Sequence, residues 1–129
     1  MSILHNIKGF FVDDLKKDVA NLVAVAVFTD SIVRPDEVKK GFEVLENLFD
    51  GEDYEFLTEE VEILLEDFQA DALTFMKAKE DALFFMKSNK QIRKELVEIV
   101  KLIFRSDHEV HAKEQELIEK IEKNTEGEL

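Results

Sequence analysis

Residues 30–37 read DSIVRPDE and residues 107–114 read DHEVHAKE. Both stretches hold an Asp, a Val three positions on and a Glu four positions further, and they lie 77 residues apart. Each follows an apolar run, NLVAVAVFT before Asp30 and LVEIVKLIFRS before Asp107, and each opens a new charged pattern of helical period. That context predicts a helix, a tight joint and a second helix, twice over. Pro35 strengthens the reading of the first copy, because proline suits the first position of a helix; Arg34 then becomes the cap and Glu37 the third helical residue. Glu114 falls at the same place behind His111.

A glutamate at that place has an ordinary use, completing a capping box or answering the positive end of the helix. Neither cap residue suits a box, since Arg34 and His111 lack the short side-chain oxygen that caps a helix. The spacing also matches the fifth and twelfth positions of an EF-hand calcium loop, with Val33 and Val110 at the eighth. Half of such a loop is missing: its first and third positions fall on Ala26 and Phe28, or on Ile103 and Arg105, and its turn glycine is Ser31 or His108. No complete EF-hand is present. Two carboxylates per joint still suit a hard divalent cation (Ca, Mg or Mn), and Asp30, Glu37, Asp107 and Glu114 would serve one metal site if the duplication brings the joints together. His108 and His111 flank the second joint and would add nitrogen ligands of the kind a transition metal takes; the alternative is a pair of exposed, titrating histidines.

The twin joints, the opening MSILHNIKGFF and the acidic middle resemble the TerB family of small all-helical bacterial proteins, associated with tellurite resistance and wider stress-response operons. The resemblance spans nearly the whole chain. Members carry Asp-Gly, a hydrophobic residue, Ser or Thr and a Glu at this spacing in two helical halves, and the acidic positions match Asp30, Glu37, Asp107 and Glu114. This chain departs from the pattern at the Gly after each Asp, which is Ser31 or His108, and at the Ser or Thr cap, which is Arg34 or His111. The resemblance implies an accessory protein of a stress-resistance system with a protein partner, in the cytoplasm or peripheral to the inner membrane, where a membrane-associated stress complex would meet it.

Composition agrees with helices. With 4 Gly and 1 Pro against 11 Phe in 129 residues, breakers are too few for a β-sandwich. The length suits one domain able to bury roughly two-thirds of its extended-chain surface. The absence of Cys removes disulfides, thiol catalysis and zinc thiolates. The net charge of −13 is uneven: residues 41–76 hold twelve acids and no Lys or Arg, whereas residues 77–105 hold eight bases and four acids. A strongly negative face repels nucleic acid and anionic membranes and attracts cations or a basic partner. The opening lacks the signature of a secretory signal, and the apolar run from Val19 to Phe28 is about half the length of a membrane span, so no transmembrane segment is expected.

Periodicity predicts an all-α, single-domain bundle of six or seven helices in two pseudo-symmetric halves. A short apolar segment, residues 2–11, packs Ile3, Leu4, Ile7 and Phe10 on the body. A helix from Asp13 to Thr29 should be central, because its second half is apolar nearly all round. A second runs from Pro35 to about Phe49 and is stopped by Gly51; the loop GEDYEF leads to a third capped at Thr58. DALTFMK at residues 71–77 recurs as DALFFMK at 81–87, an offset of ten that places the copies on different faces of one straight helix or on two helices meeting at an angle. Ser88 and Gln91 read as a capping box for a helix leading to the second joint, and a last helix runs from Ala112 to about Lys123 before NTEGEL. Turns are expected near 30–35, 51–57, 87–89 and 107–111, and Leu22, Val23, Phe42, Ile99, Phe104 and Leu117 should be buried.

Enzymatic constellations are missing from the sequence. There is no Gly-rich phosphate loop and no GxSxG elbow, and Ser31 and Ser106 stand beside acids without a base to activate them. Two function classes remain: a divalent-cation-binding accessory protein, and a metal-free acidic helical adaptor that docks another protein.

Overall fold

In a computed structural model the described residues are 13–29, 32–49, 51–90, 92–106 and 114–120, and every regular element among them is an α-helix. The helices are α1 (Asp13–Phe28), α2 (Pro35–Leu48), α3 (Gly51–Ala70), α4 (Ala72–Ser88), α5 (Arg93–Phe104) and α6 (114–120). Helix α1 packs against each of α2, α3, α4 and α5, and those four close a ring around it, each touching the next. Its sequence asks for that position. From Val19 to Phe28 only Asn21 escapes full burial, so no face remains for water. Asn21 spends its amide on the Ala78 carbonyl of α4 at 3.0 Å, which pins the centre to the ring.

Contacts at the helix ends set the directions. Lys16 near the start of α1 pairs with Asp53 near the start of α3 at 2.9 Å. At the other end, the rings of Phe28, Phe68 and Phe75 form a triangle with centroids 5.1 to 5.8 Å apart. Helices α1 and α3 therefore run parallel, and α4 returns antiparallel, since it meets α1 first at Phe75 and then at Ala78.

Local chemistry explains most of the boundaries. Arg34 is extended (φ −101°, ψ 130°), offers its carbonyl to Glu37 and Val38 at 3.0 Å each, and makes no side-chain cap bond; Pro35 begins α2 as expected. Gly51 has φ +56°, the left-handed region, and a Cβ there would meet nothing within 4 Å, so backbone conformation alone calls for glycine. Gly51 begins α3 instead of merely ending α2. The expected loop GEDYEF is helical, and Thr58 is an internal residue whose hydroxyl donates to the Glu55 carbonyl at 3.0 Å. Glu52 and Asp53, in the first turn of α3, favour this earlier start through the helix dipole.

The cap between α3 and α4 is Asp71, whose carboxylate accepts from the Leu73 amide at 3.0 Å and the Thr74 hydroxyl at 3.1 Å. Apart from the capping Asp71, both heptapeptide copies lie in α4, on different faces as the ten-residue offset requires. Met76 is 57% exposed and Met86 only 3%. The expected capping box at Ser88 is not formed, because Ser88 ends α4 and α5 starts at Arg93; Gln91 lies outside the described residues. Here α4's own C-terminal carbonyls decide the geometry. Asn89 donates to Phe85 at 2.7 Å, and the buried Arg93 guanidinium donates to Met86 at 3.1 Å and also to Lys87.

Leu22, Val23, Ile99, Phe104 and Leu117 are buried as expected. Phe42 is only partly buried, since its face of α2 borders an open groove instead of another helix. The segment 2–11 and the C-terminal NTEGEL lie outside the described residues. No described helix is long and apolar enough to cross a membrane.

Candidate functional site

The helices that lead into the two joints end by similar means. Thr29 donates its hydroxyl to the Val25 carbonyl at 2.7 Å and so closes α1; Ser106, 77 positions on, donates to Ile103 at 2.8 Å and closes α5. Matched burial extends up both helices: Val19, Leu22, Val23, Ala26 and Val27 correspond to Leu96, Ile99, Val100, Ile103 and Phe104, and all ten are buried. The hydroxyl residue before each Asp was visible in the sequence but did not enter the Asp, Val, Glu pattern.

Helices α1 and α5 finish side by side. A Cβ added at Gly41 of α2 would lie 3.8 Å from Val27 and 3.9 Å from Ile103, each one residue short of its helix's end. The same atom would lie 2.7 Å from Val23, so glycine is what lets α2 approach this closely. Glu37 sits one turn nearer the joint on the same face, which also carries Val44, Leu45 and Leu48.

Glu37 and Glu114 both have 0% exposure. Glu37 is the third residue of α2, and Glu114 is the first described residue of α6, on the face that buries Leu117 and Ile118. A carboxylate so placed must be answered by positive charge, hydrogen bonds or a proton, because leaving water unpaid is costly. Asp30, Asp107, His108 and His111 lie outside the described residues. Among the described residues no three His, Cys, Asp or Glu side chains gather as metal ligands.

Beside the first joint, an open groove of about 530 Å³ runs along α2 and is lined by Val33, Pro35, Val38, Phe42 and Tyr54, with Lys39, Glu43 and Glu46 at its edge. A hydrogen bond and the nearby charge from Lys40 lower the Glu43 carboxyl from its ordinary value. Comparison with protein-family models, curated proteins and solved structures finds no match to this chain.

Proposed function

We propose that the chain is a non-enzymatic accessory protein of the TerB type, serving a bacterial tellurite or general stress-resistance system, and that its joints bind a divalent cation through Asp30, Glu37, Asp107 and Glu114. The observation that carries this reading is the full burial of the two joint glutamates that match at the 77-residue offset. A surface acid at a helix start would interact with the dipole without the desolvation cost. Matched burial of both glutamates is what a built carboxylate site would require. The neighbouring ends of α1 and α5 favour one shared site over two separate ones, and the matched burial of the flanking helices supports two pseudo-symmetric halves. Oxygen ligands suit Ca, Mg or Mn, while His108 and His111 would widen the choice toward transition metals. A cytoplasmic place, peripheral to the inner membrane beside a stress complex, belongs to the same proposal.

Thermal melting of the full chain in calcium, magnesium, manganese and zinc tests it. A site with Kd of about 10⁻⁴ M adds about 2.7 kcal/mol at about 10 mM cation, well above the resolution of a melting curve. The variant carrying Asp30→Asn and Asp107→Asn should keep its helical spectrum and lose that rise. If the wild-type melting temperature does not respond to any of the four ions, the cation reading is wrong.

The α2 groove favours a second reading, a metal-free acidic adaptor. Its apolar floor and the Glu43 and Glu46 edge suit a basic amphipathic segment of a partner protein. Phe42→Glu should then abolish binding of a short basic amphipathic peptide while leaving any cation response intact.

A further inference from the structure

Large apolar side chains more than 45% exposed number six among the described residues, and five lie on α3 and α4: Phe56, Ile63, Leu73, Met76 and Phe84. Each set shares one side of its helix, opposite the side facing the core. On α3, Phe56 and Ile63 are seven residues apart, a 20° difference, whereas Leu57, Val61, Leu65 and Phe68 face inward. On α4, Leu73, Met76 and Phe84 lie opposite the buried Ala78, Ala82, Phe85 and Met86. Exposed apolar side chains gathered on the outer sides of two neighbouring helices suit an interaction site.

The charges around it differ between the two helices. Helix α3 carries eight acids and no base of its own, with Lys17 of α1 5.6 Å from the Phe56 ring centre, while the outer side of α4 carries Lys77 and Lys87 against Glu80. We infer that this face docks a second copy of the chain, with α3 of each copy lying on α4 of the other across a two-fold axis parallel to the helices. An axis perpendicular to the helices would instead lay α3 on α3, eight acids against eight. Charge thus selects the symmetry operator. The net −13 of each chain does not forbid the contact, because charges beyond a screening length of about 8 Å are muted at physiological ionic strength.

The apolar side chains also stand at matching heights. Counting 1.5 Å per residue from Asp71, Phe56 lies about 22 Å down α3 and Phe84 about 20 Å down α4, while Ile63 lies at about 12 Å and Met76 at about 8 Å. In the proposed dimer Phe56 therefore meets the partner copy's Phe84, and Ile63 meets its Met76. The two-helix face, about 30 by 20 Å, would bury about 1,200 Å² in all, the lower end of the range for specific interfaces. The inference is independent of cation binding at the joints.

Sedimentation velocity of the full chain up to about 1 mM should show a concentration-dependent dimer. Phe84→Glu and Lys77→Glu should each shift it to monomer with an unchanged helical spectrum. Because the chain has no cysteine, single Phe56→Cys and Phe84→Cys variants can be mixed and oxidised, and cross-linked product should join one variant to the other in preference to itself. A wild-type chain that stays monomeric throughout overturns the proposal and leaves the face to a different protein. Dimers that survive Phe84→Glu, or Phe56→Cys chains that link mainly to themselves, overturn it too.

Discussion

Helices α1 and α4 both carry more apolar residues than a one-sided helix needs, and the bundle treats them oppositely. In α1 the surplus meets a partner on every side, and even Ala20, Ala24 and Ala26 have no exposure. In α4 one apolar side goes to α1 and its ring neighbours, and the other, at Leu73, Met76 and Phe84, faces outward. Low amphipathicity therefore has two meanings: a helix buried all round, or one with a second surface left for something else. Only the number of covering helices distinguishes them.

The largest effect expected from this contrast lies in the core. Phe104→Ala removes a ring with 0% exposure and should cost about 3 to 5 kcal/mol in urea unfolding, while Phe84→Ala, 70% exposed, should change monomer stability by about 0.5 kcal/mol or less. Equal losses would break the comparison.

Next is Arg93→Met. It keeps the aliphatic volume but strips the Met86 and Lys87 carbonyls of a charged donor, at a cost of about 1.5 to 3 kcal/mol, with faster hydrogen exchange at the end of α4.

Gly41→Ala sets two effects against each other. Alanine gains about 1 kcal/mol of helix propensity, but its methyl would stand 2.7 Å from Val23, a buried β-branched side chain with little rotamer freedom, and overpacking costs about 1 to 3 kcal/mol. A lower melting temperature is expected; a rise would show that the contact of α1 with α2 is looser than described.

The smallest effect concerns pH. Partial burial, with the Asp81 charge adding to it, raises the Asp18 carboxyl above its ordinary value, so the folded state holds this proton more tightly than the unfolded chain. Stability from that proton is present in acid and is lost as pH rises through the raised folded value. Asp18→Asn should accordingly raise the melting temperature slightly at neutral pH, with the gain vanishing below the ordinary aspartate range.

Much of this architecture was legible because its signals are local. Ten residues from Val19 to Phe28 with a single polar side chain require burial on all sides, and Pro35 fixes where α2 begins. The boundaries expected at Thr58 and Ser88 fall elsewhere, because at each a good capping residue competes with a stronger determinant of the helix end. Thr58 lost to an acidic first turn that extends α3 back to Gly51. Ser88 lost to Arg93, which reaches back over the end of α4. Of the candidate site, the pattern singled out Glu37 and Glu114 but did not reveal that both are buried.

Residue order alone determined the all-helical class, the central helix and the start of α2 at Pro35, because helical period and proline chemistry act within a few residues along the chain. Tertiary structure decided which sides of those helices are covered. It buried Glu37 and Glu114, left Phe42 beside an open groove and turned Leu73, Met76 and Phe84 to the outside. The physical reason is that burial depends on neighbours tens of residues away, whose closest approaches here rest on single contacts such as Gly41 against Val23.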